Sequence, residues 1–458
     1  MQNHSWSRPV SRPVPGRTFS LLVKLQKDVI LPGAFEVPRT VCTYKEKNMA
    51  KLDINFIRKQ FPAFSEPSLE GFAHFENAGG SYACGQMIES LHRYYRETKV
   101  QPHYGFEPSH GAGVEMARAR ERMATWLNVA TDEVHFGPST SQNTYVIAQA
   151  LRQHLQPGDE IIVTNQDHEA NIGVWRRLEA DGMVIREWQV NPETAELETA
   201  GLEKLLNEST RVVAFTHCSN IVGSMNPVRE WVDKIHASGA MAIVDAVSYA
   251  GHGLPDVEVL GADIYMLSLY KVYGPHLGVM VMRKALNDQL PNQGHFFNVD
   301  HPTDRFTPAG PDHAQIASVN GVMDYFDAVY AHHFGDDEVA ATKKTSAVRA
   351  LFQHTERRNL RPLLDFLSER KGVHLIGKSE TKHRAPTVSF TVDGRDPADV
   401  AKALAEQKIG IANGNCYAYR LMNALGIPPA QGVVRVSFVH YTKADELARV
   451  MDALDQTL

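Results

Sequence analysis

Two residues near the middle of the chain, Asp245 and Lys271, have side chains that together suit carbonyl chemistry. Asp245 lies in the apolar run MAIVDAV, and Lys271 follows the run DIYMLSL, just before the turn at Gly274-Pro275. Both runs are rich in β-branched and aromatic residues, which is typical of buried strands. A lysine amine forms a Schiff base with an aldehyde, and a carboxylate keeps a proton on a pyridine nitrogen. The pair predicts a site for pyridoxal phosphate, although an aspartate and a lysine in such places also serve simply as turn or solvated residues.

A cluster of hydroxyl residues offers a place for the phosphate. The strand-like residues 134–137 run through Pro138 into Ser139 and Thr140, which stand at the start of a predicted helix. Hydroxyl residues there commonly cap the helix, and the same unpaired backbone N–H groups also bind anions. Ser139 and Thr140 are therefore the candidate phosphate ligands.

Two further polar residues follow apolar, strand-like runs. His168 comes after EIIVT, and Asn220 comes after RVVAFT. The recurring order of strand, polar loop and helix predicts βαβ units and a mostly parallel sheet. Because ligands bind at the carboxyl edge of such a sheet, we expect these residues to converge there. An imidazole at that edge can stack on a flat ring or titrate near neutral pH, or it is an ordinary polar residue.

The composition excludes several classes of protein. The 458 residues are 43% hydrophobic and 22% charged, with a net charge of −6, which is ordinary for a globular protein of two or three domains. Without a basic excess, nucleic acid is not expected as a partner, and no apolar run reaches the ~18 residues that span a membrane. The four cysteines, Cys42, Cys84, Cys218 and Cys416, have no metal-binding spacing, so we predict no metal site and a reduced, cytoplasmic setting.

The character of the sequence changes along the chain and predicts four segments. Residues 1–48 contain the stretch SRPVSRPVPGR and are expected to be a disordered leader or an upstream extension. Residues 49–75 are expected to pack with a small C-terminal domain. Residues 76–320 hold the alternating strands and helices of a large domain. Residues 321–458 change to long helices and fewer strands, which is typical of a smaller α+β domain.

Six separated motifs occur in order across residues 60–458: FENAGG, DHEANIGVW, HCSNIVGSMNPV, VDAVSYAGHGLPDV, SLYKVYGPHLGV and GVVRVSFVHYT. Together they resemble the class V aminotransferases, a family that includes the cysteine desulfurases. The resemblance implies the α/β architecture of the fold-type-I pyridoxal phosphate enzymes, with a mostly parallel, seven-stranded-type sheet in the large domain and a smaller C-terminal α+β domain. It also implies a homodimer that acts on a small amino acid.

The resemblance also implies a role for each matching residue. Lys271 would form the Schiff base, Asp245 would face the ring nitrogen, and His168 would stack on the ring. Ser139, Thr140 and Ser268 would bind the phosphate. The other implied cofactor contacts are Asn220, Val247, Ser248 and Tyr270. Arg435 would grip the substrate carboxylate, which suits a bidentate guanidinium, beside Asn77 and Asn220.

The chain departs from the family in the loop that carries the nucleophilic cysteine of desulfurases. NGNCYAYRLM places Cys416 near that position, but its flanking residues resemble a desulfurase-like subgroup that lacks the cysteine. Cys416 is thus either a sulfur acceptor or a small loop residue. Ser248 stands where desulfurases usually have a glutamine, and Tyr270 replaces a histidine. Gly310-Pro311 replaces a Gly-Thr pair whose threonine would reach the phosphate of a neighbouring subunit.

These residues predict a pyridoxal-phosphate enzyme in which Lys271 removes the α-proton of a small amino acid. The step that follows stays open. Loss of a group from Cβ gives a lyase or desulfurase, reprotonation at the cofactor gives a transaminase, and return of the proton on the opposite face gives an epimerase. The resemblance favours C–S or other β-elimination chemistry. A non-catalytic relative that only binds the cofactor is a further alternative, and the presence of Lys271, Asp245 and His168 argues against it.

Overall fold

The computed structural model describes residues 50–335 and 337–458, so the predicted leader at residues 1–48 lies outside the described part of the chain. The α-helices are α1 Ile54–Lys59, α2 Gly85–Glu97, α3 Glu107–Leu127, α4 Thr140–His154, α5 Gly173–Arg176, α6 Thr199–Leu205, α7 Val228–Ala237, α8 Val257–Leu260, α9 Lys284–Gln289, α10 His313–Phe334, α11 Ala341–Ser368, α12 Pro397–Glu406, α13 Tyr419–Ala424 and α14 Ala444–Thr457. The strands are β1 Ala73–His74, β2 Val134–Gly137, β3 Glu160–Thr164, β4 Val184–Trp188, β5 Thr210–Thr216, β6 Met241–Asp245, β7 Ile264–Ser268, β8 Gly278–Met282, β9 Val373–Leu375, β10 Thr387–Val392, β11 Ile409–Gly410, β12 Ala412–Gly414 and β13 Val433–Ser437. Among the helices of these described ranges, none has the length and apolar character needed to cross a membrane.

The largest sheet has seven strands in the order β2-β8-β7-β6-β5-β3-β4. Its strands β7, β6, β5, β3 and β4 pair in parallel, and β8 runs antiparallel between β7 and β2. The mostly parallel, seven-stranded sheet expected from the sequence is therefore confirmed. Because β3, β5, β6 and β7 point the same way, the polar loops that follow them begin along one edge of the sheet.

Both faces of this sheet are covered by apolar side chains, because alternate residues of each strand point to opposite faces. On one face, Ile161 and Val163 of β3 share a buried cluster with Leu151 of α4. On the other face, the ring of Phe215 in β5 lies 5.4 Å from that of Trp231 in α7. Burial of both faces explains why these strands are continuous apolar runs in the sequence.

A smaller antiparallel sheet, in the order β12-β13-β10-β9, forms in the last third of the chain. Leu364 of α11, Leu404 of α12 and Val450 of α14 share a buried cluster with Val436 of β13. Helices therefore cover this sheet with a core of its own, as expected for the smaller α+β part of the fold.

The segment that precedes the large sheet is hydrogen-bonded to the C-terminal strands. Strand β1 pairs in parallel with β11, with Ala73 opposite Ile409. Immediately after β1, Glu76 forms a parallel bridge with Ser437 at the end of β13. This pairing brings the loop after β1 beside Arg435, which lies two residues before Ser437 in the same strand.

Candidate active site

The loops after β3, β5, β6 and β7 meet at one edge of the large sheet, around a cavity of about 190 Å³. The strand register places Thr216 opposite Asp245 and Asp245 opposite Met266, so these loops begin close to one another. Every residue predicted to contact the cofactor lines this cavity: Ser139, Thr140, His168, Asn220, Asp245, Val247, Ser248, Ser268, Tyr270 and Lys271.

Lys271 lies on the 3-10 turn that follows β7 and is only 8% exposed. Burial disfavours the ammonium form and lowers the pKa of Lys271 to about 8. The positive charge of Arg435 acts in the same direction, whereas the carboxylate of Asp245 opposes it. Compared with a solvated lysine, a larger fraction of this amine is therefore neutral and nucleophilic.

Asp245 ends β6 and faces the same cavity. Its Oδ1 accepts a 2.8 Å hydrogen bond from the backbone N–H of Val247, and its Oδ2 accepts none from the residues that the structure describes. Burial raises the pKa of Asp245, against the smaller effects of the Val247 hydrogen bond and the charge of Lys271. A cationic ring nitrogen beside Oδ2 would favour the ionised carboxylate, because opposite charges at short range stabilise each other.

His168 follows β3, and its Nδ1 accepts a 3.1 Å hydrogen bond from the backbone N–H of Ala170. In the neutral ring this bond assigns the hydrogen to Nε2. Burial, with smaller contributions from the charges of Lys271 and Arg435, lowers the pKa of His168 to about 4. The imidazole is therefore neutral near pH 7, which suits stacking on a ring better than proton transfer.

Hydroxyl groups gather where α4 begins. Ser139 caps this 15-residue helix by accepting a 3.1 Å hydrogen bond from the backbone N–H of Gln142. The Oγ1 of Thr140 lies 2.7 Å from the Oγ of Ser268. Capping and anion binding are compatible here, because the remaining backbone N–H groups of the first turn still point out of the helix.

A second, more open cavity of about 400 Å³ adjoins the first, and His168, Asn220 and Lys271 line both. Arg435 lines the second cavity, where its Nη1 donates a 3.1 Å hydrogen bond to the backbone carbonyl of Asn220. Its Nη2 lies 2.5 Å from Oε1 of Glu76. The predicted ligand of the substrate carboxylate is thus near Lys271, but a carboxylate of the chain itself already contacts it.

Asn77, also predicted to contact the substrate, uses its side chain within the protein. Its Nδ2 donates to the backbone carbonyls of His74 and Ser437, each at 3.2 Å, and its Oδ1 accepts from the hydroxyl of Tyr441. Asn77 does line a narrow cleft beside Lys271. The structure therefore brings Asn77 to the site with its amide already engaged, as a support for the loop after β1.

Cys416 lines the open cavity on a loop with an unusual backbone. Both Cys416 and Tyr417 are in the left-handed region, with φ of 46° and 62°, and Nδ2 of Asn220 donates a 2.8 Å hydrogen bond to the carbonyl of Cys416. Burial raises the pKa of the Cys416 thiol, although the charge of Arg435 opposes this. Nucleophilic thiols commonly have a lowered pKa, so this setting does not by itself activate Cys416.

Glu76 and His276 are among the cavity residues that were not predicted from the sequence. Glu76 belongs to the FENAGG motif, but nothing in that motif indicates a contact with Arg435, which is 359 positions away. His276 lines the cofactor cavity and stacks on Tyr270 with ring centroids 5.0 Å apart. The available signal for His276 was its place five residues after Lys271.

The polar groups of the first cavity fit pyridoxal phosphate. The Oδ1 of Asn220 is buried and has no hydrogen-bond partner within the described residues, which is unfavourable unless a ligand supplies a donor. A buried amine, a carboxylate, a neutral imidazole and a hydroxyl cluster can serve the aldehyde, the ring nitrogen, the ring and the phosphate. In residues 50–335 and 337–458, no group of three or more His, Cys, Asp or Glu side chains could hold a metal ion.

Comparison with known proteins gives a consistent result. Residues 73–329 and 338–450 match the family described as aminotransferase class-V. The aminotransferase-like protein FGM3 of Gibberella zeae is 34% identical over 419 residues, which cover 89% of this chain and 99% of that protein. A probable cysteine desulfurase of Pseudomonas aeruginosa is 29% identical over 416 residues, which cover 88% and 97%. The apo structure of a cysteine desulfurase from Thermococcus onnurineus NA1 has the same fold, with a TM-score of 0.78, 24% identity, and coverage of 89% and 99%.

Proposed function

The chain belongs to the class V aminotransferase family of pyridoxal-phosphate-dependent enzymes, and from that premise we propose that it catalyses β-elimination on a small amino acid, with Lys271 as the base. The observation that carries this proposal is the contrast between two side chains of the site. Burial lowers the pKa of Lys271 to about 8 and raises the pKa of Cys416. The amine is thus suited to proton transfer, while the thiol is not activated to accept sulfur.

Bound pyridoxal phosphate supplies an aldehyde for the substrate amine and a ring that accepts electrons from Cα. Lys271 would hold the cofactor in the resting enzyme, Asp245 would keep its ring nitrogen protonated, and His168 would lie against its ring. The hydroxyl groups that would bind the phosphate belong to Ser139, Thr140 and Ser268.

The side chains of this site then have separate tasks in the elimination. Nζ of Lys271 takes the proton from Cα, and the leaving group departs from Cβ with the bonding electron pair. With cysteine, the leaving group is sulfide, and addition of water converts the remaining three-carbon unit to pyruvate and ammonia. Arg435 would fix the α-carboxylate so that the Cα hydrogen faces Nζ. His168, with a pKa of about 4, does not compete for the proton near pH 7.

Transamination is the second candidate reaction. FGM3, which is 34% identical to this chain, is described as aminotransferase-like. Transamination needs the same removal of the α-proton by Lys271 and differs in where the proton returns. The two reactions are therefore separated by their products and not by the residues of the site.

A panel of amino acids tests elimination directly. The purified holoenzyme is incubated with each amino acid, and sulfide, pyruvate and ammonia are measured. We expect equal amounts of pyruvate and ammonia from at least one amino acid with a leaving group on Cβ, and neither product from the Lys271→Ala variant. Lys284, whose side chain is 58% exposed, offers a matched control, and Lys284→Ala should behave as the wild type. Conversion of an added keto acid to an amino acid without ammonia release would replace elimination by transamination.

For the assembly and the compartment, we propose a homodimer in a reducing, cytoplasmic setting. Phe296, Phe297 and Val299 are exposed together on one segment, with 86%, 61% and 50% of their surfaces open. Neighbouring exposed apolar side chains commonly mark protein–protein contacts. The cysteines of the described ranges are free thiols, which supports a reducing compartment.

A further inference from the structure

Building on the assignment of Arg435 to the substrate carboxylate in the proposed function, we propose that Glu76 is a specificity-determining residue that competes with that carboxylate for Arg435. Oε1 of Glu76 lies 2.5 Å from Nη2 of Arg435, and 4% of the arginine side chain is exposed, compared with 32% of the glutamate. Contacts between a buried guanidinium and a carboxylate are short and charge-assisted. Glu76 therefore sets how tightly the enzyme binds α-amino acids.

The backbone around Glu76 is shaped to hold its carboxylate at this place. Gly79 and Gly80 donate backbone hydrogen bonds of 3.0 and 3.3 Å to the carbonyl of Glu76. A Cβ atom at Gly79 would collide with the Glu76 carboxylate, so the lack of a side chain there leaves the space that the carboxylate occupies. The bridge between Glu76 and Ser437 ties the same loop to the strand of Arg435.

Arg435 has few donors left for a second carboxylate. Its Nη1 donates to the carbonyl of Asn220, Nη2 contacts Glu76, and Nε is buried without a partner in the described residues. A substrate carboxylate on the remaining N–H groups would share one guanidinium with Glu76, and two negative charges so close together repel each other. Glu76 must then withdraw toward solvent, and its partial exposure gives it room to do so.

The charges around the open cavity leave this role to Glu76. Three charged side chains line this cavity within the described residues: Glu76, Lys271 and Arg435. The imidazole of His168 also lines it but is neutral near pH 7. Lys271 holds the cofactor and removes the α-proton in the proposed function. Glu76 therefore neutralises Arg435 in the free enzyme, and the α-carboxylate takes over that task when substrate binds.

Two amines that differ only in a carboxylate, L-alanine and ethylamine, measure this competition. Each is titrated into the holoenzyme, and the change in visible absorption of the cofactor gives its dissociation constant. The ratio of the ethylamine constant to the alanine constant reports recognition of the carboxylate alone. We expect Glu76→Gln to raise this ratio about tenfold or more, because a neutral amide competes weakly for a charge-assisted contact. Glu76→Asp keeps the charge on a side chain one methylene shorter and should raise the ratio by less.

Arg435→Gln separates this inference from the proposed function on which it rests. It should bring the ratio close to one, alone and combined with Glu76→Gln. An unchanged ratio in Arg435→Gln would show that Arg435 does not bind the carboxylate, which is a failure of the proposed function. If Arg435→Gln lowers the ratio but Glu76→Gln leaves it unchanged or lowers it, Glu76 does not compete and the inference is overturned. The thermal unfolding midpoint of each variant checks that it is folded. If Glu76→Gln does not fold, Glu76→Asp replaces it: a raised ratio supports the competition, and an unchanged ratio overturns it.

Discussion

The side-chain amide of Asn220 donates a 2.8 Å hydrogen bond to the backbone carbonyl of Cys416. This bond joins the loop after β5 of the large sheet to the loop after β12 of the smaller sheet. It secures Cys416 through its backbone in a left-handed conformation, with φ of 46°. The thiol itself contacts no base in the described residues, and burial raises its pKa.

Replacement of Cys416 by serine is therefore expected to have little effect on catalysis. A thiol with a raised pKa is a poor nucleophile. Cys416→Ser should therefore keep the visible absorption of the cofactor and change the rate of sulfide release from cysteine by less than about threefold. Initial rates of sulfide release provide the measurement. Loss of sulfide release with intact cofactor absorption would instead identify Cys416 as a sulfur acceptor.

Lys271 should destabilise the cofactor-free protein. Its pKa falls from the ordinary value of 10.5 to about 8 in the folded chain, so between these values the unfolded state binds more protons. Stability therefore rises with pH from about 8 to 10.5, and the full penalty is present below pH 8. Lys271→Met should raise the unfolding free energy at pH 7 by on the order of 3 kcal/mol and remove this pH dependence.

Denaturant unfolding of the cofactor-free proteins at pH 7 and pH 10 measures this difference between wild type and Lys271→Met. The exposed Lys284 gives a matched control, and Lys284→Met should show neither the gain in stability nor the change in pH dependence. A lower stability of Lys271→Met at pH 7 would mean that the buried amine is stabilising, contrary to its lowered pKa.

Asp245→Asn is expected to separate cofactor binding from catalysis. An amide has nearly the shape of the carboxylate but cannot stabilise a positive charge on a ring nitrogen, so turnover should fall about 100-fold or more while the cofactor stays bound. Turnover and visible absorption are measured on the same sample. Asp393, an exposed acid that pairs with His374 on the surface, is the control, and Asp393→Asn should retain full turnover. Wild-type turnover in Asp245→Asn would show that the charge of Asp245 is not needed for catalysis.

The proposed homodimer predicts a mass of two chains by light scattering. If the apolar residues at 296–299 lie in the contact, Phe297→Glu should shift the protein toward one chain, because a buried, unpaired carboxylate opposes association. Val259 is similarly exposed, at 59%, and Val259→Glu should remain dimeric. A wild-type mass of one chain would contradict the homodimer, and a dimeric Phe297→Glu would place the contact elsewhere.

Much of the architecture could be predicted because it depends on local patterns. The apolar runs of β6 and β7 predicted buried strands. Because parallel strands end along one edge of a sheet, residues at or just after their carboxyl ends, such as Asp245 and His168, converge there. The motif resemblance added the enzyme class and the cofactor, and both are confirmed by membership in the class V aminotransferase family.

What the sequence did not predict depends on contacts between distant segments. Glu76 contacts Arg435, 359 positions away, because the loop after β1 is bridged to β13. The sequence pattern within either segment does not indicate which residues of the two segments lie opposite each other. The left-handed backbone at Cys416 and Tyr417 is equally hidden, since such conformations are uncommon for residues other than glycine and depend on their surroundings. The hydrogen bonds of the Asn77 side chain to His74, Ser437 and Tyr441 could not be predicted for the same reason, and its contact with substrate stays a prediction.

The positions along the chain of the residues that line the two cavities have a consequence for biosynthesis. The residues that line the first cavity lie between Ser139 and His276, whereas the second is completed by Arg435, on β13 near the end of the sequence. A ribosome therefore completes the set of cofactor-lining residues well before it adds Arg435. A message truncated ahead of β13 would encode a product that holds the hydroxyls, the aspartate and the lysine, but in which Glu76 has no guanidinium to meet.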